Sequence, residues 1–388
     1  MTDAASPPKP PPLAVYVHWP YCARICPYCD FNVVRDRGQT EQATLARAIV
    51  ADLEGQAALI GPRRLGSVFF GGGTPSLMDP DWAGAILAAA RRLWPTDEAV
   101  EVSLEANPTD AEAGRFAAFA AAGVQRLSLG VQALDDEALS FLGRNHGAEE
   151  ARRAAALAAR LFPRLSIDLI YARPGQTPAA WAQELGQALD LGFEHVSPYQ
   201  LTIEPGTAFD RAVGRGRLVP PDADAAAALY ETTQAVLETA GFEAYEVSNH
   251  ARGAAARSRH NLAYWTGQDY AGAGPGAHGR LTTAEGRLAT QAAARPGDYI
   301  AAVTRTGRGF GEKEILTPRD AAVERLLLGL RIADGVAWRE VSALGLAPDA
   351  PIVADLAAEG LVTASAGRLA ATASGRRVLD SLVAALVG

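Results

Sequence analysis

Cysteine is scarce in this chain, and all of it lies in one short segment. Three cysteines occur in 388 residues, and they all lie within one short stretch, at Cys22, Cys26 and Cys29. A disulfide framework needs an even number of cysteines spread over a small secreted domain, so this pattern excludes that class of protein. Three clustered thiols indicate metal or redox chemistry instead.

Long apolar runs and an excess of basic residues are also missing. No stretch reaches the roughly 20 apolar residues of a membrane span. Residues 1–12 lack the apolar middle of a signal peptide, so we expect a cytoplasmic protein. The formal charge of −8 and a pI near 5.4 argue against nucleic-acid binding. The same twelve residues are proline-rich and predict a disordered or polyproline tail.

The spacing Cys-x3-Cys-x2-Cys narrows the chemistry. A zinc site usually takes four ligands from two separated Cys-x-x-Cys pairs, and the sequence has no second pair. Three buried, inert cysteines are the plain structural alternative. Three thiolates on one loop suit three irons of a four-iron cluster and leave the fourth iron open to another ligand. We therefore expect an iron–sulfur cluster at Cys22, Cys26 and Cys29.

Strand-like and helix-like segments alternate for about two hundred residues from Leu13. The predicted strands are 13–18, 67–70, 100–106, 126–130, 165–171 and 195–201. Helix starts are predicted after the capping residues Thr40, Asp79, Thr109 and Thr177. This alternation predicts a parallel sheet with helices on its outer face, either as a barrel or as a doubly wound sheet.

The last third departs from this alternation. Residues 222–240 predict a helix, and residues 272–279 are glycine-rich. From Thr317 the predicted order is three helices, a hairpin around Ala366-Gly367 and a final helix, which is typical of a winged helix. A fold does not set a function, and acidic residues accompany the arginines here, so we expect packing or partner docking rather than regulatory DNA binding.

Glycine and polar residues follow the predicted strands. Gly71-Gly-Gly-Thr-Pro-Ser76 comes directly after the second strand, and Glu105 lies at the end of the third. Ligands bind at the carboxyl edge of such sheets, and a glycine turn lets a ligand approach the backbone. Taken alone, the glycines equally fit a tight strand-to-helix turn, and Glu105 fits a solvated strand end.

Together, the cysteine loop, Tyr16-Val-His-Trp-Pro20 before it and Cys29-Asp-Phe-Asn32 after it resemble the radical S-adenosylmethionine (SAM) family. They resemble the branch that holds oxygen-independent coproporphyrinogen III oxidases and HemW-type haem chaperones. The resemblance implies an α/β fold, with an incomplete (β/α)6 barrel at 13–215, an α/β extension at 216–316 and a small winged-helix-like domain at 317–388. It also implies a [4Fe–4S] cluster whose open iron binds SAM, and an electron that cleaves SAM to methionine and a 5′-deoxyadenosyl radical.

The resemblance assigns SAM contacts to residues spread along the barrel. They are Tyr16, Tyr28, Gly72, Gly73, Thr74, Glu105, Gln132, Arg144 and Asp168. Arg144 is expected to offer a forked donor to a carboxylate of SAM or of a porphyrin. The chain departs from the family at Ala172-Arg173-Pro174, where Gly-Leu-Pro is common, and Arg173 is expected to add a charge at the barrel rim.

Two features separate the oxidases from the chaperones. The oxidases resemble Cys-x3-Cys-x2-Cys-x-Cys, and this chain has Phe31 at the last position. The segment from His260 to Trp265 resembles the HNxxYW motif of the HemW branch, which implies haem contacts from His260, Asn261, Tyr264 and Trp265. A helix-surface or core histidine is the structural alternative for His260, and His278 is a second haem candidate.

The resemblance thus implies a haem chaperone that passes haem to acceptor haemoproteins, with the oxidase as the alternative. It further implies an electron donor and no nucleic-acid partner. It leaves open a homodimer and peripheral association with membrane-bound acceptors, and it does not assign catalytic residues.

Overall fold

A computed structural model describes residues 9–36 and 38–388, and six consecutive parallel strands form the centre of its main sheet. They are β1 Pro12–Trp19, β2 Arg64–Gly72, β3 Glu101–Ala106, β4 Arg126–Gln132, β5 Arg164–Tyr171 and β6 His195–Gln200. All six predicted strands are confirmed, with shifted ends. The predicted tail extends too far, since Pro12 already pairs with Arg64, and its residues 1–8 lie outside the described residues.

The sheet continues at both edges. The later strands are β7 Glu243–Glu246, β8 Asn249–Ala251, β9 Asp269–Ala273, β10 His278–Thr283, β11 Gly286–Ala292 and β12 Phe310–Ile315. β9 lies parallel to β1, and the other five strands extend the sheet in antiparallel. The order β12-β11-β10-β9-β1-β2-β3-β4-β5-β6-β8-β7 is an open sheet, as expected of an incomplete barrel.

Sequence patterning misses β9, because a glycine replaces a side chain within it. A Cβ added to Gly272 would lie 1.9 Å from the carbonyl oxygen of His278. Close approach of the backbone at the start of β10 therefore excludes a side chain at this position. Without regular alternation of side chains, the segment resembles a glycine-rich loop.

Helices accompany the sheet: the first seven connect the parallel strands, and the tenth lines the inner face. They are α1 Gln39–Ile60, α2 Pro80–Leu93, α3 Asp110–Ala113, α4 Phe116–Ala121, α5 Asp136–Phe141, α6 Ala148–Leu161, α7 Pro178–Leu189, α8 Ala208–Gly214, α9 Ala223–Thr239, α10 Arg259–Trp265 and α11 Pro296–Thr306. The side chains of Asp79, Thr109 and Thr177 accept backbone N–H groups, which confirms these caps. The cap predicted at Thr40 is wrong, because α1 begins at Gln39.

The parallel strands place apolar side chains outward and polar side chains inward. The outward set packs with the helices into one core and includes Val68, Phe70, Val102, Leu104, Leu127, Leu129, Ile167, Leu169 and Val196. The inward set lines a cavity and includes Glu105, Arg126, Ser128, Ser166, Asp168, His195, Ser197 and Tyr199. Packed barrels fill this space with branched apolar side chains. Here the inner face is a polar chamber, which is suited to ligands.

Residues 318–388 form a smaller unit with its own sheet. Its elements are α12 Pro318–Gly329, β13 Val336–Ala337, α13 Trp338–Val341, α14 Pro351–Ala358, β14 Val362–Ala364, β15 Arg368–Ala371, α15 Ala373–Arg377 and α16 Leu379–Val387. The predicted order of three helices, a hairpin and further helix is confirmed. The unit packs a separate apolar core. The boundaries at 215/216 and 316/317 stay predictions.

Candidate functional site

The cysteine loop leaves the carboxyl end of β1 and folds back beside it. The two-residue strand Tyr21–Cys22 pairs in parallel with Val34–Arg35, and the Asp36 amide donates to the Cys22 carbonyl at 3.0 Å. All three thiols are free and line one cavity of about 380 Å³. The loop therefore presents three sulfurs to a cavity of the size that small ligands occupy.

Polar groups lie against two of these sulfurs. Arg144 Nη1 donates to Cys26 Sγ at 3.3 Å, and the Thr74 hydroxyl donates to Cys22 Sγ at 3.6 Å. Burial raises the pKa of Cys22 to about 11, and burial also raises the pKa of Cys29. Such thiols give up their protons when they bind a metal, and the neighbouring donors then stabilise the thiolates. Three soft sulfur ligands on one loop fit a [4Fe–4S] cluster.

The glycine turn after β2 packs directly on the end of β1. The Gly73 amide donates to the Trp19 carbonyl at 2.8 Å, and a Cβ on Gly73 would lie 2.7 Å from the Pro20 backbone. Gly72 has a φ of 109°, and its added Cβ would lie 2.6 Å from the His18 ring. The tight-turn alternative is thus supported by this packing. The turn also lines the cluster cavity, so it can hold a ligand as well.

Two carboxylates face this cavity from β3 and β5. Glu105 accepts the Gly72 amide at 3.1 Å, and Asp168 accepts the Ser128 hydroxyl at 3.2 Å. Shielding from water and the nearby Asp168 raise the pKa of Glu105 to about 8, and shielding raises the pKa of Asp168 to about 6. At neutral pH Glu105 is therefore mostly protonated and can both donate and accept. A carboxyl that donates and accepts can bind a sugar hydroxyl. Its shielding from water does not fit the alternative of a solvated strand end.

Backbone strain marks the ends of β4 and β5. Gln132 and Ala172 have φ values of 66° and 60°, which are uncommon for residues other than glycine. Gln132 Oε1 is buried and has no hydrogen-bond partner among the described residues. Strain and unsatisfied polar atoms concentrate at binding sites. Gln132 lines the cluster cavity, where a donor of a bound ligand would satisfy this oxygen.

Arg144 is held by neutral groups rather than by a carboxylate. Its Nη2 donates to the Gly130 carbonyl at 3.1 Å and to the Asn107 side chain. Its Nε is buried without a partner in the described part of the chain, so a donor remains for a ligand. Asn107 and Tyr199 were not predicted from the sequence. Asn107 also donates to the Thr74 hydroxyl. Both residues line the cavity near the carboxyl end of a predicted strand, and this position could have marked them as candidate site residues.

Most of the predicted cluster and SAM residues share this cavity. They are Cys22, Cys26, Cys29, Tyr28, Gly72, Gly73, Thr74, Glu105, Gln132, Arg144 and Asp168. Tyr16 lines two adjoining cavities instead, each of which shares Glu105 with the first, and its hydroxyl contacts His18 Nδ1 at 3.1 Å. The predicted haem residues His260, Asn261, Tyr264 and Trp265 line one of these, a cavity of about 370 Å³ that shares Glu105 and Asp168 with the first.

His260 is fully enclosed at the wall of this second cavity. Its Nδ1 bonds with the Ser67 hydroxyl at 3.0 Å, its Nε2 bonds with the Tyr264 hydroxyl at 2.9 Å, and its ring stacks on Phe69. Burial lowers the pKa of His260 to about 3, so the ring is neutral. Both nitrogens are engaged, and iron ligation would require one hydrogen bond to open. A haem contact from this motif stays a prediction.

The C-terminal unit holds the end of the same motif. The Arg331 guanidinium lies over the Trp265 ring, 4.7 Å from its centre, and Arg325 donates to the Trp265 carbonyl at 2.8 Å. Arg331 Nε also donates to Glu246 at 2.7 Å. The wall of the second cavity therefore depends on the packing of residues near 325–331.

The charge expected from Arg173 at the barrel rim is neutralised. Arg173 is buried and forms a two-pronged ion pair with Glu184, in which one of the two contacts is Nη1 to Oε1 at 3.2 Å. The added charge is therefore present but paired, because α7 supplies the counter-charge.

Comparison with known proteins agrees with this site. The Radical SAM superfamily description matches residues 16–186, and the HemN C-terminal domain matches residues 316–378. The Heme chaperone HemW of Escherichia coli is 36% identical over 97% of this chain and 98% of its own length. The chain belongs to the HemW branch of the radical SAM family. A bovine protein, radical S-adenosyl methionine domain-containing protein 1, mitochondrial, is 40% identical to this HemW-branch chain over 99% of it and 90% of its own length.

A solved structure supports the fold of this HemW-branch protein. Coproporphyrinogen III oxidase (HemN) from Escherichia coli superposes with a TM-score of 0.79 at 21% identity, covering 97% of this chain and 90% of the oxidase. The likeness confirms the expected radical SAM architecture. The cofactors of this family are a [4Fe–4S] cluster and SAM, and together they supply reductive cleavage of the sulfonium. Around this cavity the chain itself provides shielding from water, the Glu105 carboxyl and the Arg144 guanidinium.

Proposed function

We propose that this HemW-branch protein binds haem and passes it to acceptor haemoproteins, using a [4Fe–4S] cluster and SAM. The observation that carries the proposal is the similarity to the HemW of Escherichia coli along almost the whole of both chains. Phe31 supports it, because it stands where the oxidases carry a further cysteine. Its side chain is 61% exposed and lines the cluster cavity, so no thiol is available there.

The residue roles in this proposal follow the geometry. Cys22, Cys26 and Cys29 hold the cluster, and the cavity beside them receives SAM. Its contacts are Tyr28, Gly72, Gly73, Thr74, Glu105, Gln132, Arg144 and Asp168. Tyr16 lies beside Glu105 in the adjoining cavities and stays a predicted SAM contact.

The cellular setting is proposed more coarsely. No helix within residues 9–36 and 38–388 has the length and apolar character needed to cross a membrane. A cytoplasmic location stays a prediction, since the bovine relative carries "mitochondrial" in its name. The electron donor, the acceptor haemoproteins and a homodimer also stay predictions.

The alternative function is oxygen-independent coproporphyrinogen III oxidation. The observation that favours it is the fold shared with the oxidase of Escherichia coli. At 21% identity this likeness supports the fold alone. The two functions differ in chemistry, because the oxidase decarboxylates its porphyrinogen substrate and consumes SAM.

One experiment separates the two functions. The anaerobically purified chain is titrated with haemin and, separately, incubated with coproporphyrinogen III, SAM and a reductant. Saturable haem binding and transfer to an apo-haemoprotein without decarboxylation are expected. Formation of protoporphyrinogen IX would contradict the chaperone function. Cys26→Ser serves as the matched control, since it should lose cluster iron and any SAM chemistry.

A further inference from the structure

Among the six histidines, one alone offers its ring to a large ligand. The other five are buried, and each has at least one ring nitrogen in a hydrogen bond: His18, His146, His195, His250 and His260. His278, at the start of β10, is exposed, and its ring makes no hydrogen bond within the described residues. Met78 is fully buried as well. Access therefore singles out His278 as a histidine ligand for haem iron.

His278 lines a cavity of about 590 Å³ between the cysteine loop and the antiparallel edge of the sheet. Phe31 and Tyr270 line the same cavity, and Tyr264 brings the HNxxYW motif to its wall. This cavity shares Phe31 and Glu105 with the cluster cavity, so the two adjoin. A ligand held by His278 would thus lie beside the cofactor site, in a space of ordinary ligand size.

The chemistry of this cavity suits a metalloporphyrin. Partial burial and the nearby Arg280 lower the pKa of His278, which keeps the imidazole in the neutral form that binds metals. Phe31 is exposed and offers an aromatic face to a flat apolar ring. Arg295 follows the cavity residue Ala294, is exposed and forms no ion pair in the part of the chain that is described. It can donate to a propionate.

We propose that His278 is the axial ligand of haem iron, and that haem lies in the cavity bounded by Phe31 and β10. This inference rests on the proposed function and deepens it. His260 then acts as a positioning residue, because its two hydrogen bonds fix Ser67 and the cavity residue Tyr264.

Haemin titration of the full, anaerobically purified chain tests the assignment. The unchanged chain is expected to give the absorbance spectrum of histidine-ligated haem, and His278→Gly should lose that spectrum. Loss of an outer partner of a metal ligand already costs about 10-fold in affinity, so loss of the ligand itself should weaken haem binding at least about 10-fold. Added imidazole should restore the spectrum in His278→Gly. Glu285→Ala changes an exposed residue on the turn between β10 and β11, outside this cavity, and should keep the spectrum.

The outcomes separate this inference from the function on which it rests. If the unchanged chain and His278→Gly bind haemin with the same spectrum and affinity, the assignment of His278 is overturned while haem binding stands. If the unchanged chain binds no haemin, both are overturned. Circular dichroism of His278→Gly should match the unchanged chain, because an exposed side chain at a strand end is removed.

Discussion

Arg331 is the clearest test of how the C-terminal unit supports the second cavity. The Glu246 side chain is fully buried, and Arg331 is 32% exposed. Glu246 Oε2 also accepts the Ser248 amide and the Asn249 side chain, whereas Oε1 depends on Arg331. The substitution Arg331→Met therefore leaves one buried carboxylate oxygen unpaired.

The structure sets the size of the expected effect. Removing one partner of a buried pair costs about 3–5 kcal/mol when the other charge is left wholly unpaired. Here Oε2 keeps its donors and water reaches Arg331, which lowers the cost. Loss of the cation–π contact with Trp265 adds about 0.5–1 kcal/mol. We expect Arg331→Met to lower the free energy of unfolding by about 2–3 kcal/mol.

Urea denaturation under anaerobic conditions measures this change. The matched control is Arg153→Met, because Arg153 pairs with Asp110 at 3.0 Å while both side chains are more than half exposed. That control should cost less than about 1 kcal/mol. In a Glu246→Gln background, Arg331→Met should cost less than it does alone, since no charge is then left unpaired. Equal losses for Arg331→Met and Arg153→Met would refute the reasoning.

Three further outcomes are expected. The pKa of Glu105 is raised from the ordinary value of 4.5 to about 8, so the free energy of unfolding should fall as pH rises through that range. Glu105→Gln should reduce this pH dependence by up to about 1.4 kcal/mol per pH unit in urea titrations. An unchanged slope would count against the raised pKa. Cys22→Ser, Cys26→Ser and Cys29→Ser should each lose bound iron in a colorimetric assay while circular dichroism is retained, and full iron in any of them would exclude that sulfur as a ligand. Arg173→Leu should destabilise the fold by about 2–3 kcal/mol by leaving buried Glu184 without its counter-charge, with less loss in Arg173→Leu/Glu184→Gln, and similar values for both variants would contradict the buried ion pair.

Local patterns in the sequence predicted the strands and many helix starts of the barrel. Alternating apolar residues and capping side chains act over a few residues, so β1 to β6 and the caps at Asp79, Thr109 and Thr177 could be recognised. β9 could not be recognised, because Gly272 is required by close contact with the backbone of the following strand. The spacing of Cys22, Cys26 and Cys29 likewise predicted three sulfurs on one loop, and the structure places all three at one cavity.

Accessibility and pairing could be decided only by the tertiary structure. His260 and His278 are equally polar in the sequence, yet one is enclosed with both nitrogens bonded and the other is exposed beside Phe31. Arg173 is an added charge in the sequence and half of a buried ion pair in the fold. The physical reason is the same in each case. Spacing along the chain determines which chemical groups are present, whereas burial and partners distant in sequence determine whether each group can meet a ligand.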